Sequence, residues 1–265
     1  MSRRLLVFVL ISIAAAAVCV RLGFWQLSRL HRRRAHNAVL AARLDAPPVA
    51  YAALPADTGG RHYRRVTVVG RPDYAREFVL ANRVRDGAPG VHVLTPVRVS
   101  AGGPGGDTLV LVDRGWLYSP DGTDADLARA REGDSLAITG YLEIPSRRGG
   151  VARLGGEGAR SYRAYRYLDA AVVARDLGVP VTPDYVVAAP LADQTRPPYD
   201  RLKRLPTPDV TDEGPHFSYV VQWFSFAAVS LVGVGAFVRA ERRKASTRCR
   251  DRTRSPRRQR PRRSS

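Results

Sequence analysis

Three side chains near the C-terminus, His216, Tyr219 and Trp223, are spaced i, i+3 and i+7 and so fall on one face of a helix. The polar Gln222 lies close to that face. All four stand at the mouth of an uncharged run, residues 217–238, whose 22 residues would reach about 33 Å as a helix. That is enough to cross a hydrocarbon core of about 30 Å. The imidazole is the chemically versatile group of the set, and its setting is two aromatic rings at a membrane boundary. A plainer reading exists: Tyr and Trp form interfacial belts, and a histidine at a helix mouth is often only solvated.

A second constellation sits mid-chain. Asn82-Arg83 is followed by Gly87, Gly90 and Thr95-Pro96, and Asp113-Arg114-Gly115-Trp116 closes an apolar stretch at 108–112. Gly87 and Gly90 suit a turn that needs positive φ. Arg83 and Arg114 could clamp an anion, because a guanidinium matches carboxylate geometry. The structural alternative is that Asp113 and Arg114 cap or bridge a strand end while Trp116 packs in the core.

Other chemistries lack their residues. Cys19 lies in the first apolar run and Cys249 in the basic tail, so the central region can hold neither a disulfide nor a Cys-x-x-Cys pair. The sole methionine is the initiator, which leaves no soft ligand suitably placed for copper. No Gly-x-Ser-x-Gly, His-Glu-x-x-His or phosphate loop appears, so an enzyme is not expected. The net charge of +19 is uneven: residues 239–265 hold 13 Lys/Arg against Glu241 and Asp251. Basicity therefore belongs mainly to a tail, and nucleic acid is not an expected partner; anionic lipid is.

The elements that position these groups are an N-terminal span, a β-rich domain and a C-terminal span. Residues 1–4 precede a first transmembrane helix at 5–27, where Arg21 can snorkel and Trp25 can anchor the interface. A linker follows at 28–60, rich in Ala and Pro from residue 35 on and with room for a short helix. Period-two segments then predict strands at 65–69, 77–82, 91–100, 108–112, 135–143 and 185–189, with a turn at 70–73 and a hairpin loop at 101–107. Pro96 marks an edge or a bulge. A short helix is expected at 168–177, stopped by Gly178 and Pro180. The β domain is placed at 61–200, a second linker at 201–215, the second span at 216–238 and a basic, disordered tail at 239–265. Arg239, Arg242, Arg243 and Lys244 after the second span put both termini in the cytoplasm and the β domain outside. The fold class is α+β: two terminal transmembrane helices flanking a mainly antiparallel β domain with one short helix.

Taken together, five segments resemble the surfeit locus protein 1 family. They are Leu22-Gly23-Phe24-Trp25-Gln26-Leu27, Tyr63-Arg64-Arg65-Val66, Asn82-Arg83 with Gly87 and Gly90, Asp113-Arg114-Gly115-Trp116, and Pro215-His216 with Tyr219 and Gln222-Trp223-Phe224. The glycine-rich 147–160 and the Arg-rich tail after Arg242 lie outside the pattern. The resemblance implies a bacterial plasma-membrane protein with an outer domain, which matures subunit I of cytochrome c oxidase alongside other assembly factors. It also implies haem a binding. Haem insertion needs a site near the outer leaflet, a nitrogen ligand and aromatic surface. His216 would supply the axial nitrogen to haem iron and Tyr219 and Trp223 an aromatic wall. Gln222 would hydrogen-bond a partner helix or a polar haem substituent. The alternative is a membrane scaffold that stabilises subunit I and never touches haem.

Overall fold

The computed structural model describes residues 3–55, 60–100, 108–145, 162–190 and 201–254. Along the chain run α1 (Arg3–Asp45), β1 (Val49–Ala50), β2 (Arg65–Pro72), β3 (Phe78–Arg85), β4 (Ala88–Val99), β5 (Leu109–Tyr118), β6 (Leu136–Glu143), β7 (Arg163–Tyr165), α2 (Ala170–Leu177), β8 (Val181–Ala188) and α3 (His216–Arg254). They form two compact units, one of Met1–Asn37 with Thr211–Ser265, the other Ala38–Val210.

In the first unit α1 and α3 run antiparallel. Phe8 packs on Phe237 with ring centroids 5.2 Å apart, and Phe24 meets Phe224 edge-on at 5.4 Å. Between these, Ser230 Oγ donates to the Ser12 carbonyl at 3.1 Å. Most of the remaining apolar surface faces outward; Ile11 is 64% and Val232 72% exposed. Both helices hold a stretch long and apolar enough to cross a membrane, within Leu5–Asp45 and His216–Lys244. Apolar side chains left outside a packed core at that length support a membrane protein.

Both helices outlast their expected ends. The linker expected from residue 28 is helical through Asp45, because residues 28–45 contain good helix formers and no Gly or Pro until Pro47-Pro48. The tail expected to be disordered from residue 239 continues α3 as far as Arg254. Extending an existing helix needs no new nucleus, and this stretch is rich in the good helix former Arg with its first proline at Pro256. Its basic composition thus rides on a helix.

The second unit is a closed β barrel with additions. Each of β2, β6, β8, β5 and β4 pairs with the next, and β4 pairs back to β2, so the ring has no free edge. β3 lines the first half of β4, and β7 and β1 add short parallel strands to β3 and β2. The sheet is mainly antiparallel, as expected. β1 and β7, of two and three residues, carry too little period for sequence to reveal. Val66, Val68, Val97, Val110, Val112, Ile138, Leu142 and Val186 fill the interior. Outside, α2 packs Val173 and Leu177 against Phe78, Leu80, Leu94 and Leu111. That helix starts two residues after the expected 168, with Asp169 accepting from the Ala171 and Val172 N–H groups, and stops as expected at Gly178, in the left-handed conformation.

Closure overturns the turn expected at 70–73. β2 runs through to Pro72 and passes from β6 to β4 at Gly70, where a β-carbon would lie 2.2 Å from the Arg98 carbonyl oxygen. Only glycine allows the strands that close. Pro96 lies where β4 leaves β3 for β2, so its missing N–H costs no ladder bond. The linker expected at 201–215 also joins the sheet: Lys203 exchanges backbone bonds of 2.7 and 2.8 Å with Trp116. The expected loop at 101–107 and the segment 147–160 lie outside the described residues.

Candidate functional site

His216 opens α3, and the turn before it is built to fix that opening. Gly214 has φ 68° and its N–H donates to Asp212 Oδ1 at 2.8 Å. Pro215 follows, and its carbonyl accepts from the Tyr219 N–H, closing the first helical turn at 3.2 Å. From α1, Arg34 grips Glu213 through both carboxylate oxygens at 2.6 and 2.8 Å. Asn37 and Arg33 donate to the Asp212 carbonyl at 2.9 and 3.3 Å. The Arg34 hydrogen bond holds the Glu213 carboxyl below its ordinary pKa.

Within this frame the half-buried His216 ring meets Gln26 of α1: Nδ1 and Oε1 are 2.9 Å apart. Three residues before Gln26, a β-carbon at Gly23 would lie 2.9 Å from the Phe224 ring, so glycine permits close helix contact at this level. Tyr219 and Gln222 are exposed and Trp223 is half-buried, its indole edge-on to Phe226 at 6.0 Å. Helical geometry keeps His216, Tyr219 and Trp223 on one face. A cavity of about 580 Å³ is lined by Arg21, Leu22, Phe24 and Trp25, beginning one turn before Gln26. Arg29 lies over the Trp25 ring, 5.2 Å from its centroid.

The mid-chain constellation serves the barrel. Arg114 is fully buried: its guanidinium bonds Glu77, the Ala130 carbonyl, Glu132 at 3.0 Å and Thr95 at 2.7 Å. Thr95 donates in turn to Glu77, and Arg204 reaches Glu132 at 2.6 Å. Burial works against the Arg114 charge, but the Glu77 and Glu132 carboxylates outweigh it and leave the pKa raised. Arg204 is pushed down, chiefly by loss of solvation. Asp113 lies within β5 and not at a strand end as the sequence alternative had it; it accepts from the Gly115 N–H at 3.0 Å, and its other oxygen holds His92 Nδ1 at 2.9 Å. Trp116 is buried and donates from Nε1 to the Arg83 carbonyl at 3.0 Å. Arg83 donates to the Ala81 and Arg166 carbonyls. With Arg114 wholly spent inside, an Arg83–Arg114 anion clamp is not formed. Gly87 has the expected positive φ, whereas Gly90 is needed for room: a β-carbon there would meet the Trp116 ring at 2.4 Å.

Sequence reading placed His216, Tyr219, Gln222 and Trp223 but gave Gln26, Gly214 and Arg34 no role. Gln26 did carry a signal, as an uncharged polar residue ending an apolar run. Arg34 and Glu213 are 179 positions apart, and nothing local pairs them. Glu77, Glu132 and Arg204 carried no signal either, and Thr95 stood in the mid-chain constellation without a role.

A β barrel flanked in sequence by two helices long and apolar enough to cross a membrane defines a membrane protein that carries a β domain. Residues 13–228 match the SURF1 family model. The chain is 30% identical over 246 residues to an uncharacterised SURF1-like protein of Mycobacterium bovis, covering 89% of this chain and 84% of the relative. A Mycobacterium tuberculosis protein of the same description matches equally. A SURF1-like protein of Monosiga brevicollis is 27% identical over 244 residues, covering 83% of each chain. The chain belongs to the SURF1 family. Membership implies a role in cytochrome c oxidase assembly.

Proposed function

We propose that this protein binds haem a at His216 and aids its insertion into subunit I of cytochrome c oxidase, working with other assembly factors. It would do so at the outer face of a bacterial plasma membrane, crossing it twice with both termini in the cytoplasm. The observation that carries this reading is the state of the His216 ring. One nitrogen is engaged by Gln26, and the other meets no hydrogen-bonding partner among the described residues. The donor set suits a haem iron, which takes neutral imidazole readily. The cavity on α1, lined among the described residues by Arg21, Leu22, Phe24 and Trp25, is largely apolar with one cation and suits an amphipathic anion. In this role His216 binds, the Asp212–Gly214 turn and Gln26 orient the ring, and Tyr219 with Trp223 offer aromatic surface.

A scaffold that stabilises subunit I without haem is the second reading. One observation favours it: the His216–Gln26 bond also serves as a latch between α1 and α3. Absorbance separates the two. Protein purified from cells that make haem a should show a Soret band, which His216→Ala removes while protein abundance holds. His62→Ala and His92→Ala should keep the band, since those rings bond Glu143 and Asp113 in the β domain. A full Soret band in the His216 variant sinks the ligand assignment.

A further inference from the structure

We propose that Gln26 is the positioning residue of the His216 site: its carboxamide oxygen selects the Nδ1–H tautomer of the imidazole and thereby presents Nε2 as the ligating nitrogen. The inference rests on the haem reading above and assigns a function to a residue on the opposite helix.

A neutral imidazole has one N–H and one lone pair, and what meets the first nitrogen decides which it is. Gln26 Oε1 accepts only, so at 2.9 Å from Nδ1 it requires the proton there and leaves the lone pair on Nε2. The two helices that carry the pair are held against each other on either side of it. The Gly23–Phe224 approach sets the helix spacing just before it, and the Arg34–Glu213 and Asn37–Asp212 bonds fix the start of α3 just after it. These contacts keep residue 26 within reach of the ring.

The Nε2 edge is kept bare. Gly214 borders it, and a β-carbon there would stand 3.7 Å from Cδ2 and 3.8 Å from Nε2. The residue at 214 must be in the left-handed conformation to make the Asp212 turn, so glycine meets both needs. A carboxylate at position 26 would accept more strongly, yet it would set a charge at the end of an apolar helical run, where ionised groups are costly. A carboxamide orients the ring without that charge. Partners that orient a ligating histidine typically contribute about 10–100-fold to affinity.

The test uses the full-length protein in detergent, with haemin as the titrated probe and histidine-selective 15N labelling to read the ring tautomer. Wild-type His216, assigned by its absence in His216→Ala, should show Nδ1 protonated and Nε2 bare. Gln26→Ala should mix the tautomers and weaken haemin binding by about 10–100-fold. Gln26→Glu, which keeps an acceptor, should restore affinity and lower the midpoint potential of the bound haem. A stronger acceptor at Nδ1 makes Nε2 a better donor to the oxidised iron. An unchanged thermal midpoint of Gln26→Ala shows that this variant did not simply unfold. Two results overturn the assignment of Gln26 alone: His216→Ala loses haemin while Gln26→Ala keeps wild-type affinity, or wild-type His216 carries its proton on Nε2. If His216→Ala binds haemin as wild type does, the haem reading falls and this inference with it.

Discussion

Arg114 lies in the barrel wall, buried from solvent and held by Glu77, Glu132, Thr95 and a backbone carbonyl. A buried pair of this kind is costly to assemble and more costly to break, because the orphaned partner keeps its charge without solvent. Arg114→Met should therefore destabilise the β unit by about 3–5 kcal/mol. It would be read as a lowered thermal midpoint of purified full-length protein. Adding Glu77→Leu to Arg114→Met should recover part of that loss, since both charges are then gone. If the double variant is no more stable than the single, the pair is not the source of the effect. Trp116→Ala should cost about 3–5 kcal/mol by cavity formation and lower steady-state abundance. A Trp116 variant at normal abundance, equally resistant to protease yet inactive in oxidase assembly, would instead place Trp116 in a contact with a partner.

At the scale of elements the decisive feature is where β2 changes neighbours. Five strands close only if the β2 and β4 backbones meet at Gly70, and a methyl group there collides with the Arg98 carbonyl. Gly70→Ala should open the seam between β2 and β4 and cost about 1–3 kcal/mol. The expected signature is faster amide exchange at Ser100, whose N–H donates to the Val69 carbonyl at 3.0 Å across that seam. Gly60→Ala is the control: it has open space around it and should leave exchange at Ser100 unchanged. Equal protection in both variants would mean that closure does not depend on Gly70. The continuation of α3 to Arg254 matters at this scale too, because it turns a basic tail into a basic helix that projects from the apolar segment.

For the whole molecule, two antiparallel spanning helices would put both chain ends on one side and the β unit on the other. The basic residues after residue 238 would place the ends in the cytoplasm. In a chain freed of Cys19 and Cys249, Val84→Cys, exposed on the β unit, should react with an impermeant thiol reagent added to intact cells. Lys244→Cys, also exposed, should react only after lysis. Labelling of Lys244→Cys with protection of Val84→Cys would reverse the orientation.

What the sequence determined by itself was local and periodic. Uncharged runs marked the helices of the first unit, period-two stretches marked the six longer strands, and Gly178 and Pro180 marked the end of α2, because burial on one face or in lipid writes itself into consecutive residues. The spacing of His216, Tyr219 and Trp223 was legible for the same reason. Only the tertiary structure decided what depends on distant partners: Gln26 on His216, Arg34 on Glu213, Arg114 on Glu77, and the closure of β4 on β2. Arg114 in sequence has the same look whether it faces an anion or a buried glutamate. The end of a helix was equally hidden, since good helix formers continue it as readily beyond an apolar run as within one. A long-range contact leaves no period in the chain, because the energy that makes it is shared between residues that the backbone keeps far apart.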